Sequence, residues 1–183
     1  MDKTVFDGAA FVSIDLNTGR IASPGRDRLA LISKDILALI APGDALNRAA
    51  ITWGKSHGET IVGKNDGDDV GVDALATHLS GTLAALGLGK VRMEVRGDAL
   101  LFRVKGGFEA ETATVNAVII GGFIAGYLGA VSNYGFVTLD LGDVGDDRLF
   151  WVGNPEAVDS VRQSVENGAA PFEAIDALMI GEA

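Results

Sequence analysis

A single α+β domain, its helices packed on a small antiparallel sheet built from two hairpins, is the fold this chain predicts. Two observations carry that reading. Apolar residues recur at helical spacing in several stretches bounded by glycine, proline and aspartate. Between them lie paired segments in which apolar and polar residues alternate around a turn, as in a hairpin with one buried face. With 183 residues the chain has the length for one domain with a substantial core, and no internal repeat or linker divides it.

Taken in order, residues 9 to 22 read as a short hairpin, with Phe11, Ile14 and Ile21 flanking an Asn17-Thr18-Gly19 turn. Ser23-Pro24 then reads as a helix start, followed by Leu29, Ile32, Ile36, Leu39 and Ile40 at helical spacing, with Pro42-Gly43 as the stop. Asp44 caps a second helix carrying Leu46, Ala50, Trp53, His57 and Ile61 on one stripe, with Gly54 and Gly58 beside them. An interior glycine costs about 1 kcal/mol relative to alanine, so two on one face predict a close approach to the backbone there. Residues 63 to 71 form an acidic, glycine-rich loop. A third helix has Val72, Leu75, Leu79, Leu83 and Leu86 facing inward, stopped by Gly87 and Gly89.

Val91, Met93 and Val95 alternate with charged residues, as do Leu100, Phe102 and Val104 after the Gly97-Asp98 turn. An apolar helix over about 111 to 132 comes next. Its uncharged run, Ala117 to Val131, falls short of the roughly 18 residues a membrane span needs, so a buried core helix is the expectation. Phe136 to Leu141 and Arg148 to Val152 predict a second hairpin, joined by residues 142 to 147. Asn154-Pro155 caps a helix bearing Val158, Val161 and Val165, and a short closing helix holds Phe172, Ile175, Leu178 and Met179.

Composition removes several function classes. The formal net charge is −10, with 25 Asp and Glu against 15 Lys and Arg. That disfavours nucleic acid, whose phosphates need a basic footprint, and an anionic membrane surface alike. The chain has no cysteine, which removes disulfides, thiolate metal ligands and cysteine nucleophiles. Its first residues lack the basic start and apolar stretch of a secretory signal, which predicts a cytoplasmic protein. There is no G-x-S-x-G elbow, no H-E-x-x-H and no dinucleotide fingerprint, and Gly87-x-Gly89 precedes a strand rather than a helix. The expectation is a protein that is not an enzyme and needs no cofactor.

The order of elements, with Trp53-Gly54-Lys55-Ser56-His57-Gly58, Leu86-Gly87-Leu88-Gly89 and Gly122-Phe123-Ile124-Ala125-Gly126-Tyr127, resembles the 4-vinyl-reductase-like domain family. Members of that family are described as hydrocarbon-binding proteins. Their fold is similar to the ligand-binding domains of nitric-oxide sensors and vesicle-tethering subunits. The resemblance covers residues 20 to 153, flanked by the hairpin of 9 to 22 and the helices of 155 to 180, and treats 1 to 183 as one ligand-binding domain. It implies a homodimer and an enclosed apolar pocket for a small aromatic or hydrocarbon-like molecule. Family members that sense aromatics also hold a zinc near the pocket through cysteines and a carboxylate. The matching positions here are Ala117, Asp143 and Leu149, with the carboxylate at Asp140, so three thiolates are missing and the zinc is not carried over.

Trp53 and His57, one helical turn apart, are candidates to stack on a ligand ring and to bind its hydroxyl, or else a core tryptophan beside a satisfied histidine. His78, on a different helix, reads as a solvated or capped side chain. Asp66-Gly67-Asp68-Asp69 and Asp143 to Asp147 contain acidic groups that suit calcium, but solvated turns explain them. Gly122, Gly126 and Gly129 form a small-residue seam that allows close helix packing or leaves room for a ligand, with Tyr127 and Tyr134 offering hydroxyls at its rim. The ligand-binding set predicted is therefore Trp53, His57, Gly122, Gly126, Tyr127 and Tyr134, with no metal and no catalytic residue. Three functions remain open: a dimeric sensor or carrier of a small apolar molecule, an assembly protein with a filled pocket and a protein partner, and an accessory factor in tetrapyrrole metabolism.

Overall fold

The computed structural model describes residues 13–15, 20–23, 26–29, 42–64, 71–96, 99–106, 108 and 112–181. Twelve elements follow in order: β1 (Ser13–Asp15), β2 (Arg20–Ser23), β3 (Arg26–Leu29), α1 (Asp44–Lys64), α2 (Val72–Ala85), β4 (Lys90–Arg96), β5 (Ala99–Lys105), α3 (Ala113–Ser132), β6 (Val137–Val144), β7 (Asp147–Gly153), α4 (Pro155–Glu166) and α5 (Pro171–Gly181).

The first three strands form an antiparallel sheet in the order β1-β2-β3, with Ile14 opposite Ile21. This corrects the helix expected from Ser23-Pro24 at its start, because Ser23 pairs with Arg26 and Leu29 pairs with Ile21 as strand residues. The local cap signal yields to strand pairing. The remainder of that expected helix, residues 30–41, the Asn17-Thr18-Gly19 turn and the acidic loop at 65–70 lie outside the described residues.

The second sheet is antiparallel in the order β4-β5-β7-β6, so the two expected hairpins join through β5 and β7. Val91 faces Val104, Met93 faces Phe102 and Val95 faces Leu100, in the expected register. Gly89 can only be glycine where the chain enters β4. Its φ is +106°, and a Cβ there would lie 2.6 Å from the Gly106 carbonyl oxygen. In the β6–β7 hairpin the strands run longer than expected, and the turn shrinks to Gly145-Asp146. Gly142, with φ +82°, takes up the register shift between Asp140 and Gly142.

Helices cover both faces of this sheet. On one side Val91, Phe102, Val104, Phe150 and Val152 pack with Ile120, Phe123 and Ile124 of α3 and with Leu79 and Leu83 of α2. On the other, Ala99, Leu101, Leu149 and Trp151 pack with Val158 and Val161 of α4 and Ile175 of α5. Strand β5 is therefore apolar on both faces, Leu101 against one layer and Phe102 against the other. Asn154 caps α4 by accepting from Ala157 N at 2.8 Å, with Pro155 in the first turn. The C-terminal layer is further tied to β4 by Arg96, which donates to both Asp176 oxygens and lies 4.7 Å from the Phe172 ring centre.

One residue of α2 departs from the helical pattern. Val72 is 60% exposed in the first turn of α2 rather than inward. Helix α3 reaches 20 residues, long and apolar enough to cross a membrane by length and composition. Most of it is buried, however, between α1 and the sheet, and those neighbours account for its apolar surface.

Candidate functional site

Helices α1 and α3 run parallel and touch backbone to backbone. A Cβ on Gly54 would lie 2.0 Å from the Phe123 carbonyl oxygen, and one on Gly126 would lie 2.0 Å from that of Ile51. Gly58 meets Tyr127 in the same way at 2.6 Å, and Gly122 meets Ala50 at 2.8 Å. The four glycines read from the sequence thus form the crossing itself.

Beside the crossing sits a set of rings. Phe123 lies edge-on to Trp53 at 5.3 Å, close to His57 at 5.4 Å and stacked on Tyr127 at 6.4 Å. His57 and Tyr127 are fully buried. The Tyr127 hydroxyl is 3.1 Å from Nδ1 of His78, whose ring stacks on it, and donates to the Leu75 carbonyl at 3.4 Å. Burial pushes the Tyr127 phenol well above the usual tyrosine range. The Trp53 Nε1 proton is buried without an acceptor among the described residues.

A pocket of about 340 Å³ opens elsewhere, between the start of α1, the first half of α3 and the β6–β7 hairpin. Gly43, Asp44 and Asn47 form the α1 wall. On α3 the lining is one helical stripe, Thr114, Ala117, Val118, Gly121 and Gly122, whose small residues create the hollow. Thr138, Asp140 and Phe150 form the third wall. A Cβ on Gly121 would lie 2.7 Å from Thr138 Oγ1, so the free space depends on that glycine. The lining mixes the apolar Ala117, Val118 and Phe150 with the polar Asp44, Asn47, Thr114, Thr138 and Asp140, and 340 Å³ falls within the range of small-molecule sites.

Asp140 of the lining is anchored by Arg148. The arginine donates from Nε to Asp140 Oδ1 at 2.8 Å, from Nη2 to Oδ2 at 2.6 Å and from Nη1 to Asp143 Oδ1 at 3.1 Å. The hydrogen bond to Asp140 raises the guanidinium pKa further above its ordinary value, against the lowering effect of burial. Asp140 and Asp143 thus grip a guanidinium, while Ala117 lines the pocket and Leu149 is fully buried beneath the C-terminal helices.

Of the residues predicted from sequence, Trp53, His57 and Tyr127 come together among the rings, and Gly126 lies in the crossing. Gly122 belongs to both the crossing and the pocket wall. Tyr134 stands apart on the surface, 72% exposed beside Phe136. Residue type did not single out Asn47, Thr114, Gly121, Thr138 or Phe150. The stripe of small residues on α3 was their one signal.

No protein-family model and no curated protein matches the chain. Among solved structures it is similar to the phenol-responsive sensory domain of the transcription activator PoxR, crystallised with phenol. The TM-score is 0.63 at 15% identity, over 83% of this chain and 91% of that one. The likeness is one of fold, which in this chain is α+β with helices on a four-stranded antiparallel sheet.

Proposed function

We propose that the chain is a binding module, a sensor or carrier of a small, largely apolar molecule, and that the ligand occupies the pocket between α1, α3 and the β6–β7 hairpin. The observation that carries this reading is the 340 Å³ hollow lined by apolar and small residues together with a few polar side chains. The fold it shares with a phenol-responsive sensory domain supports it, as does the sequence resemblance to hydrocarbon-binding domains. That resemblance also supplies a homodimer as the working unit, which sedimentation velocity reads directly. In this reading Trp53, His57 and Tyr127 belong to the wall of the fold rather than to the ligand's contacts.

Titration calorimetry with phenol and related small neutral rings tests the proposal. Ala117→Leu places an isobutyl group where the wall has a methyl, so it should weaken binding by about tenfold or more. Unchanged affinity in this variant would place the ligand elsewhere. A second reading, an assembly protein with a filled interior, is favoured by the ring cluster of Trp53, His57, Phe123 and Tyr127 packed on its own side chains. It would prevail if no small ring binds and the chain instead co-purifies with a stoichiometric partner.

A further inference from the structure

We propose that the pocket selects, among small apolar molecules, those that carry a hydrogen-bond donor and no negative charge, with the Asp140 carboxylate as the receiving group and Arg148 as its positioning residue. This rests on the ligand-binding reading above and names the chemistry of that same site.

A carboxylate offers about four acceptor positions, two on each oxygen. Oδ1 of Asp140 uses two, accepting from Arg148 Nε at 2.8 Å and from Gly142 N at 3.0 Å. Oδ2 accepts from Arg148 Nη2 at 2.6 Å, which leaves one position on Oδ2 open. Asp140 lines the pocket, and its side chain is 32% exposed, so this position is within reach of a molecule held there.

Arg148 sets the direction of that acceptor. Its side chain is 20% exposed and is held from three sides: by Asp140, by Asp143 and by the Phe108 ring, whose centre is 5.7 Å from the guanidinium carbon. Phe108 in turn packs at 6.2 Å on Phe150, a wall of the pocket. The guanidinium turns three donors to the two carboxylates and does not itself line the pocket.

Charge completes the selection. The two ionisable groups in the lining are both carboxylates, Asp44 on the α1 wall and Asp140 on the β6 wall. An anion would face them with no lysine, arginine or histidine in the lining, and the whole chain carries −10. The remaining polar side chains, Asn47, Thr114 and Thr138, make no side-chain hydrogen bond among the described residues and can turn to either role.

Three probes of one size separate the possibilities by calorimetry on the full chain: phenol, which donates; anisole, which is apolar but cannot donate; and benzoate, an anion. Phenol should bind about tenfold or more tightly than anisole, and benzoate most weakly of the three. In Arg148→Gln the advantage of phenol over anisole should fall below about threefold, while anisole itself changes by less than about twofold. A merely structural Arg148 would weaken both probes together and leave their ratio intact, which overturns its positioning role. Equal binding of phenol and anisole by the unaltered protein, or tightest binding of benzoate, overturns the selection while leaving the ligand-binding reading in place. No binding of any probe overturns both. The comparison on the unaltered chain stands even if the Arg148 variant does not fold.

Discussion

Replacing Gly126 with alanine tests whether the backbones of α1 and α3 meet as described. The new Cβ would sit 2.0 Å from the Ile51 carbonyl oxygen, 2.8 Å from its carbon and 2.9 Å from Lys55 N. Real Cβ atoms essentially never come within 3.0 Å of another heavy atom, so the 2.0 Å contact must open by at least 1.0 Å. The obstacle is main chain, which no rotamer change relieves, so the helices themselves must separate. Overpacking of this kind costs about 1–3 kcal/mol, and rigid backbone argues for the upper end. Alanine returns about 1 kcal/mol of helix propensity. The balance is a loss of about 2 kcal/mol, or about 4–8 °C in Tm for a chain of this length. Gly129→Ala is the matched control on the same helix. Its Cβ would meet the Tyr134 carbonyl at 3.1 Å, a contact that gives by tenths of an ångström, and its Tm should stay within about 3 °C of the parent. Because Gly54 meets Phe123 across the same crossing, Gly54→Ala with Gly126→Ala should cost less than the sum of the two. Thermal unfolding followed by far-ultraviolet circular dichroism measures the parent and the four variants. A Gly126→Ala protein as stable as the parent would refute the close crossing.

Two further outcomes follow from single side chains. Tyr127 keeps its proton when folded at pH values where the unfolded chain, titrating near 10, gives it up. Its contribution is therefore complete below pH 10 and declines as pH rises above it. Tyr127→Phe should cost about 1 kcal/mol at neutral pH, through the hydroxyl's hydrogen bonds to His78 and Leu75, and should flatten the alkaline decline seen in urea titrations at pH 9 to 11. Asn154→Ala removes the α4 cap and should lower Tm by about 2–4 °C, an effect that vanishes in Asn154→Ser, which caps as well.

Local chemistry was the legible part of this fold. Asn154-Pro155 announced α4 because cap and first-turn proline act within four residues. Val91 to Val104 announced β4 and β5 because alternation fixes register directly. The glycines at 54, 58, 122 and 126 announced a close approach, and the crossing is that approach. What the sequence withheld depends on neighbours distant in the chain. Ser23-Pro24 carries a helix signal that pairing of Ser23 with Arg26 overrides, and β5 is apolar on both faces because α4 and α5, far onward in the chain, cover one of them. Of the pocket lining, Gly122 alone stood in the predicted ligand-binding set, for a related reason. Trp53 and His57 attract notice by residue type, whereas the hollow comes from the smallness of Ala117 and Gly121 and from a threonine brought opposite them by β6.

The division of the interior by the sheet has a practical consequence. The chain holds two tryptophans, and the fold assigns one to each side: Trp53 packs against the core shared by α1, α2 and α3, and Trp151 lies in the core beneath α4 and α5. Each helical layer therefore carries its own fluorophore. With Trp53 changed to phenylalanine, emission reports the C-terminal layer alone; with Trp151 changed, it reports the other. Coincident melting curves would make the sheet a wall shared by one cooperative unit, and separated curves would make it the seam along which the molecule comes apart.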